Sequence, residues 1–282
     1  MRKILIPTDF SKNAMNAITY AINLFKYDIS EFYVMHAYQD EIYADEVLIS
    51  EKTLDFVTDS VSKKSEKELK NTLKTINEIS PNPRHTYNVI SANNILLEEV
   101  DKIVDEQNID IIIMGTKGSS NIKNVTFGSH TLQVLRYVQC PVLAIPENYK
   151  YIQPKHILFP TNYLIPYKRR ELKLLCEMAS PYRAIIDMLY ISSTEKLSLR
   201  QKDNQNFIKE ILYKNTIHFK TENSKHIINT VYKYIKENHI DMLVMVNTRH
   251  SFLENILFQT TIDELSLHLD IPFLALQNIK RN

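Results

Sequence analysis

Glycine is what this sequence most nearly lacks. Its 282 residues hold only three, where ordinary usage of roughly 7% would give about 20. All three fall in one stretch, at Gly115, Gly118 and Gly128. Cysteine is almost as scarce. Cys140 and Cys176 show no metal-ligand spacing and no disulfide framework; both stand beside apolar residues and read as buried free thiols. An excess of one charge is missing too. With 34 Lys and Arg against 33 Asp and Glu the net charge is +1, so no general electrostatic pull toward nucleic acid or an anionic membrane is expected. No apolar run approaches membrane-spanning length, and the opening MRKILIPTDF is too short in its apolar part for a signal peptide. The expectation is a cytoplasmic globular protein of ordinary composition, 44% hydrophobic and 24% charged. The common catalytic signatures are absent as well. The chain has no Walker-type phosphate loop, no kinase set and no GxSxG elbow, and its nine histidines do not fall at metal-ligand spacings.

What is present gathers around residues 109 to 131. Asp110 to Met114 is a short apolar run bounded by turn signals, the pattern of a buried parallel strand. The glycines that follow have two readings. Three turns could each need a positive φ, or the backbone could have to approach something that tolerates no side chain. After Gly128 the pattern turns helical: Ser129 can cap, Leu132, Leu135 and Tyr137 supply an apolar side, and Pro141 ends it. A strand, a glycine-marked loop and a helix start make a place where free N–H groups and the helix dipole hold an anion. Phosphate binding is therefore expected here.

Along the rest of the first half, Lys3 to Pro7 reads as a strand ending in Thr8-Asp9-Phe10-Ser11, where Asp9 or Ser11 caps a helix over 12–26. A second strand is expected at 31–38, and residues 45–79, free of proline and glycine, read as one long helix or two. A third strand covers 84–90. A helix follows over 91–108 with Ile95, Val100, Ile103 and Val104 on its buried side, and CPVLAIP at 140–146 makes a fifth strand. Strands alternating with helices argue for an α/β fold with a parallel sheet. Ligands of such sheets bind beyond the carboxyl ends of the strands, where strand order reverses. If the first and fourth strands are neighbours, Asp9 and Gly115 face one crevice.

The second half repeats the first. Ile4 to Phe10 has its counterpart in Ile157 to Tyr163, so that Asp9 answers to Asn162 at an offset of 153. Asn108 to Met114 returns as His239 to Met245, and Pro141 answers to Pro272, both at an offset of 131. The second copy is thus shorter in its middle, and the missing length fits the long helical region. The chain divides near 150, into 1–150 and 151–282. In this alignment Gly115, Gly118 and Gly128 meet Val246, Arg249 and Gln259. Strands and helices are kept while the glycines are lost, which favours a ligand as their reason.

The pattern Gly115, Gly118, Gly128-Ser129 after a strand, with Pro7-Thr8-Asp9 and the closing CPVLAIP, resembles the ATP-binding motif of the universal stress protein family. The resemblance spans the chain as two tandem domains, strong in the first and degenerate in the second. It implies two Rossmann-like (adenine nucleotide alpha hydrolase-like) domains, each a five-stranded parallel sheet of order 3-2-1-4-5 flanked by helices. By the same resemblance Pro7 and Thr8 line the pocket, Asp9 contacts ribose or adenine, and the backbone near Ala37 faces adenine. Met114, Gly115 and Gly118 border ribose and phosphate, while Gly128, Ser129, His130 and Thr131 hold phosphates through N–H groups and hydroxyls. His130 departs from the family pattern, since a small apolar residue is common there; it either touches phosphate or lies on the surface. Lys117 reads as a solvated lysine. The implied ligand is ATP, with AMP and ADP as alternatives and magnesium as an accompanying ion. The resemblance further implies an internal pseudo-dimer through residues 140–146 and 271–277, with a homodimer as a further option.

Three readings of function stand at this point: a stress-response regulator that holds ATP in its first domain with little or no hydrolysis and signals to a protein partner, a slow ATPase using the same pocket, and a ligand-free scaffold. His36 reads as a satisfied core histidine, and Lys168, Arg169 and Arg170 as a solvated helix face.

Overall fold

A computed structural model describes residues 1–44, 53–116, 127–165, 167–193, 196–247 and 269–278. They pack as two compact units divided between Lys150 and Tyr151. The first unit runs β1 (Arg2–Pro7), α1 (Lys12–Leu24), β2 (Ser30–Ala37), α2 (Gln39–Ala44), α3 (Leu54–Ile79), β3 (His85–Ala92), α4 (Leu96–Gln107), β4 (Ile111–Gly115), α5 (Ser129–Tyr137) and β5 (Val142–Ile145). Its strands are all parallel, in the order β3-β2-β1-β4-β5. Ile4 lies level with Phe32 on one side and Ile111 on the other, which fixes β1 and β4 as neighbours. Continuous apolar runs form these central strands because both faces are covered: Ile4 to Ile6 and Ile111 to Ile113 are fully buried.

The helices follow from local signals. Ser11 Oγ accepts from the Ala14 amide at 3.1 Å and caps α1. Ala14, Ala17, Ile18, Ala21 and Ile22 are its buried side. Several expectations need correction. The strand β3 continues to Ala92, so α4 begins only at Leu96, and Ile95 is a 36% exposed N-cap residue rather than part of the buried side. Tyr137 is exposed, and Thr131, Val134 and Leu135 face inward from α5 instead. Gly128, not Ser129, is the N-cap of α5. The short helix α2, directly after β2, has no sequence pattern long enough to announce it. Of the expected helical stretch at 45–79, residues 45–52 lie outside the described residues.

The second unit repeats this plan with β6 (His156–Pro160), α6 (Arg169–Ala179), β7 (Ile185–Ile191), α7 (Leu199–Ile211), β8 (Thr216–Glu222), α8 (Ile227–Glu237), β9 (Met242–Asn247) and β10 (Phe273–Gln277). The order is β8-β7-β6-β9-β10, again all parallel. A single 13-residue helix, α7, stands where the first unit has α2 and the 26-residue α3. It begins at a capping box formed by Ser198 and Gln201.

The repeat extends to backbone conformations that side chains seldom adopt. Phe10 and Tyr163 have φ of 61° and 57°, Asn108 and His239 have 53° and 48°. Each such residue costs roughly 1–2 kcal/mol in the left-handed region. Local hydrogen bonds hold the first pair: Thr8 Oγ1 accepts from the Phe10 amide, Thr161 Oγ1 from the Tyr163 amide, both at 3.0 Å. Asp110 and Asp241 likewise each accept from an amide of the neighbouring strand, Lys3 at 3.0 Å and its counterpart His156 at 2.9 Å. Both cysteines are buried free thiols. Among the described residues no helix is long and apolar enough to cross a membrane.

Candidate functional site

A cavity of about 340 Å³ opens in the first unit beyond the carboxyl ends of β1, β2 and β4. This is where the strand order reverses, because β1 leads to β2 on one side while β4 stands on the other. Ten residues picked out in the sequence line it. Pro7, Thr8 and Asp9 come from the end of β1, Ala37 closes β2, and Met114 and Gly115 close β4. Gly128, Ser129, His130 and Thr131 come from the start of α5. The eleventh, Gly118, lies outside the described residues, as does Lys117.

Each wall has a local cause. Asp9 is exposed, and its Oδ1 accepts from the Ser11 amide at 3.1 Å, so the carboxylate also shapes the turn into α1. Neither described glycine has a positive φ, which removes the turn explanation for both. Gly115 has a packing reason instead. A Cβ there would come within 2.7 Å of Nδ2 of Asn13, a buried residue of α1. Glycine at this position leaves room for the Asn13 side chain of α1 against the end of β4, a packing reason beside the expected ligand one. Gly128 adopts φ −67°, ψ 163° and supplies no capping side chain. Its amide is used by the Thr116 carbonyl at 2.7 Å, and Thr131 Oγ donates to the Gly115 carbonyl at 2.9 Å. The Thr131 hydroxyl proton thus fastens α5 to β4 at the edge of the cavity. The α5 start keeps its helix dipole, with no acidic residue in the first turn and Arg136 in the last.

Five further residues line the cavity that were not expected in the site: Ala14, His36, Asp40, Glu41 and Leu96. Their signal was position, three or four residues beyond the end of β2 for Asp40 and Glu41, at the face where such sheets bind ligands. His36 is buried and satisfied, as expected, and it also forms part of the wall. One ring nitrogen meets Ser65 Oγ and the other Glu41 Oε1, both at 3.0 Å. Ser65 meets Ser91 at 2.7 Å, which ties α3, β2, β3 and α2 into one polar network behind the cavity. Burial pushes the His36 imidazole below its usual value, against the pull of Glu41 and Asp9. The His130 side chain is 57% exposed, lines the cavity and lies 3.7 Å from Asp40.

The matching place in the second unit is built from the same turn and larger side chains. Tyr167 lies in the connection before α6, at the sequence offset of Ala14, which in the first unit is already inside α1. The Tyr167 hydroxyl is hydrogen-bonded to Thr161, the counterpart of Thr8. Strand register makes Tyr190 the counterpart of His36. Tyr163 packs on Tyr190 with ring centres 5.8 Å apart, as Phe10 packs on His36 at 4.5 Å. Val246, the counterpart of Gly115, is buried; Arg249 and Gln259 lie outside the described residues. Arg169 and Arg170 are exposed, as expected of a solvated helix face, and the Arg169 guanidinium also lies 5.7 Å from the centre of the Phe207 ring.

Comparison with known proteins agrees with this geometry. Residues 1–146 match the profile of the universal stress protein family. The chain is similar to universal stress protein MJ0577 of Methanocaldococcus jannaschii, 27% identical over 152 residues, which are 51% of this chain and 94% of that protein. It is similar also to universal stress protein YxiE of Bacillus subtilis, 24% identical over 148 residues, 51% of this chain and 97% of that one. The crystal structure of a universal stress protein from Archaeoglobus fulgidus aligns over 98% of both chains with a TM-score of 0.69 at 15% identity, a likeness of fold through both halves. With its family profile matched across more than half its length, the chain belongs to the universal stress protein family.

Proposed function

We propose that the first unit holds one adenine nucleotide, ATP or a less phosphorylated form, and that the protein is a stress-response regulator with little or no hydrolysis, read by a protein partner. The observation that carries this reading is the cavity at the reversal of strand order, bounded by a helix start that supplies no capping side chain. In that reading the Ser129 and His130 amides and the Ser129 hydroxyl receive phosphate, Ala37 borders the base, and Asp9 accepts from ribose hydroxyls. Hydrolysis is not favoured by the wall itself, since His36 is engaged at both ring nitrogens. The second unit serves as a partner domain without this site, its Tyr167 hydroxyl already bonded to Thr161.

The test is Gly128→Asp. An Asp N-cap would accept the helix-start amides that phosphate needs, while strengthening the helix by a few tenths of a kcal/mol over glycine. Calorimetric titration should show about one adenine nucleotide per wild-type chain, and none in the variant at an equal or higher melting temperature. Unaltered affinity in a folded variant would rule out the α5 start as the phosphate site. Two nucleotides per chain would contradict the reading of the second unit.

A further inference from the structure

The start of α5 has no acidic residue of its own, yet a carboxylate stands beside it. Asp40 Oδ2, from α2 on the far wall, lies 3.7 Å from Nε2 of His130, the second residue of α5, and both residues line the cavity. The other two carboxylates of the wall have tasks within their own surroundings. Asp9 accepts from the Ser11 amide, and Glu41 is held by His36 at 3.0 Å with Lys64 at 3.8 Å. Asp40 has its ion-pair contact with His130, in the first turn of the helix start that faces the cavity. Resting on the nucleotide reading above, we propose that Asp40 is a specificity residue that occupies the electrostatic place of a phosphate and sets the site's preference toward nucleotides of lower charge.

The reason is elementary. A helix start favours one negative group nearby, and a side-chain carboxylate supplies it as a phosphate does. A nucleotide entering the cavity must then bring its phosphates close to a like charge. The repulsion is nil for adenosine, small for a monophosphate and largest for a triphosphate, whose charge is about twice as great. Asp40 and His130 are both more than half exposed, at 64% and 57%, so water and salt temper the effect without removing it. Asn at position 40 keeps the size and an oxygen to meet His130 while deleting the charge.

Adenosine, AMP and ATP would be titrated into the full chain and into Asp40→Asn, at low salt with divalent cations omitted. The substitution should leave adenosine unchanged, tighten AMP about twofold and tighten ATP about fivefold, the size given by charges several ångströms apart in a water-like medium. In 1 M salt, where screening acts over about 3 Å, the differences should collapse. A shift equal for all three ligands, or none for ATP, would overturn the proposal while leaving nucleotide binding intact. If wild type binds none of the three, the nucleotide reading itself is wrong and this proposal falls with it.

Discussion

The same turn is written twice in this chain, and only one copy faces open space. Thr8-Asp9-Phe10 and Thr161-Asn162-Tyr163 use the same threonine hydroxyl bond to hold an aromatic residue in the left-handed region. Asp9 and Asn162 both accept from an amide two residues on, at 3.1 and 2.9 Å. The turn thus belongs to the fold. What differs is what stands beyond it: Ala14 leaves a cavity in the first unit, while Tyr167 reaches the threonine in the second. A binding place and a packed core follow the same turn, and the path after it separates them: α1 begins at Lys12, five residues beyond Pro7, whereas α6 begins only at Arg169, and Tyr167 fills the longer connection.

The largest effect expected from breaking that difference is in the second unit. Tyr167 is 9% exposed, and Tyr167→Ala should destabilise the protein by about 3 kcal/mol, as removal of a buried aromatic does. Chemical denaturation would measure it. A loss below about 0.5 kcal/mol would show that the ring fills nothing. A second change, Ala14→Tyr, puts a large side chain into the wall of the first unit's cavity. Nucleotide affinity should fall at least about tenfold, a loss of about 1.4 kcal/mol in binding. Retained affinity in a chain with native circular dichroism would mean the ligand does not use this space.

The α/β alternation, the repeat and the crevice between β1 and β4 were all legible in the sequence, because buried parallel strands are continuous apolar runs and glycine was confined to one stretch. Two kinds of fact were not. The packing reason for Gly115 lies in Asn13, about a hundred residues away, and close approach across such a distance leaves no local pattern. Asp40 and Glu41 sit on a helix of six residues, too short for any periodicity to mark. The wrong assignment of Ser129 as the cap has a similar origin. Serine is the better capping residue, but tertiary contacts of Gly128 with Thr116 and of Thr131 with Gly115 set where α5 begins.

Acid should sharpen the contrast between the units. His36 and His85, both in the first unit, are pushed below the ordinary 6.5, in each case by burial above all. As pH falls through 6.5 the unfolded chain takes up protons that the folded one refuses, so stability present above that value declines below it. The decline approaches about 1.4 kcal/mol per pH unit for each histidine fully refusing its proton. His36→Gln should flatten the curve of melting temperature between pH 6.5 and 5 relative to wild type. Parallel curves would show that His36 takes up its proton as readily folded as unfolded.

The smallest stability effect belongs to Asp9→Asn, which makes the first turn match the second. Asn162 shows that an amide oxygen holds this turn, accepting at 2.9 Å without a charge. Stability should therefore change by less than about 0.5 kcal/mol, the range of surface substitutions that keep their hydrogen bond. Nucleotide affinity should nonetheless fall several-fold, because a carboxylate is the stronger acceptor for sugar hydroxyls. The two readouts separate the roles. A large stability loss with unchanged affinity would make Asp9 a turn residue that the fold needs charged. An affinity loss alone would show that the first unit turned a shared structural position to binding by replacing one amide with a carboxylate.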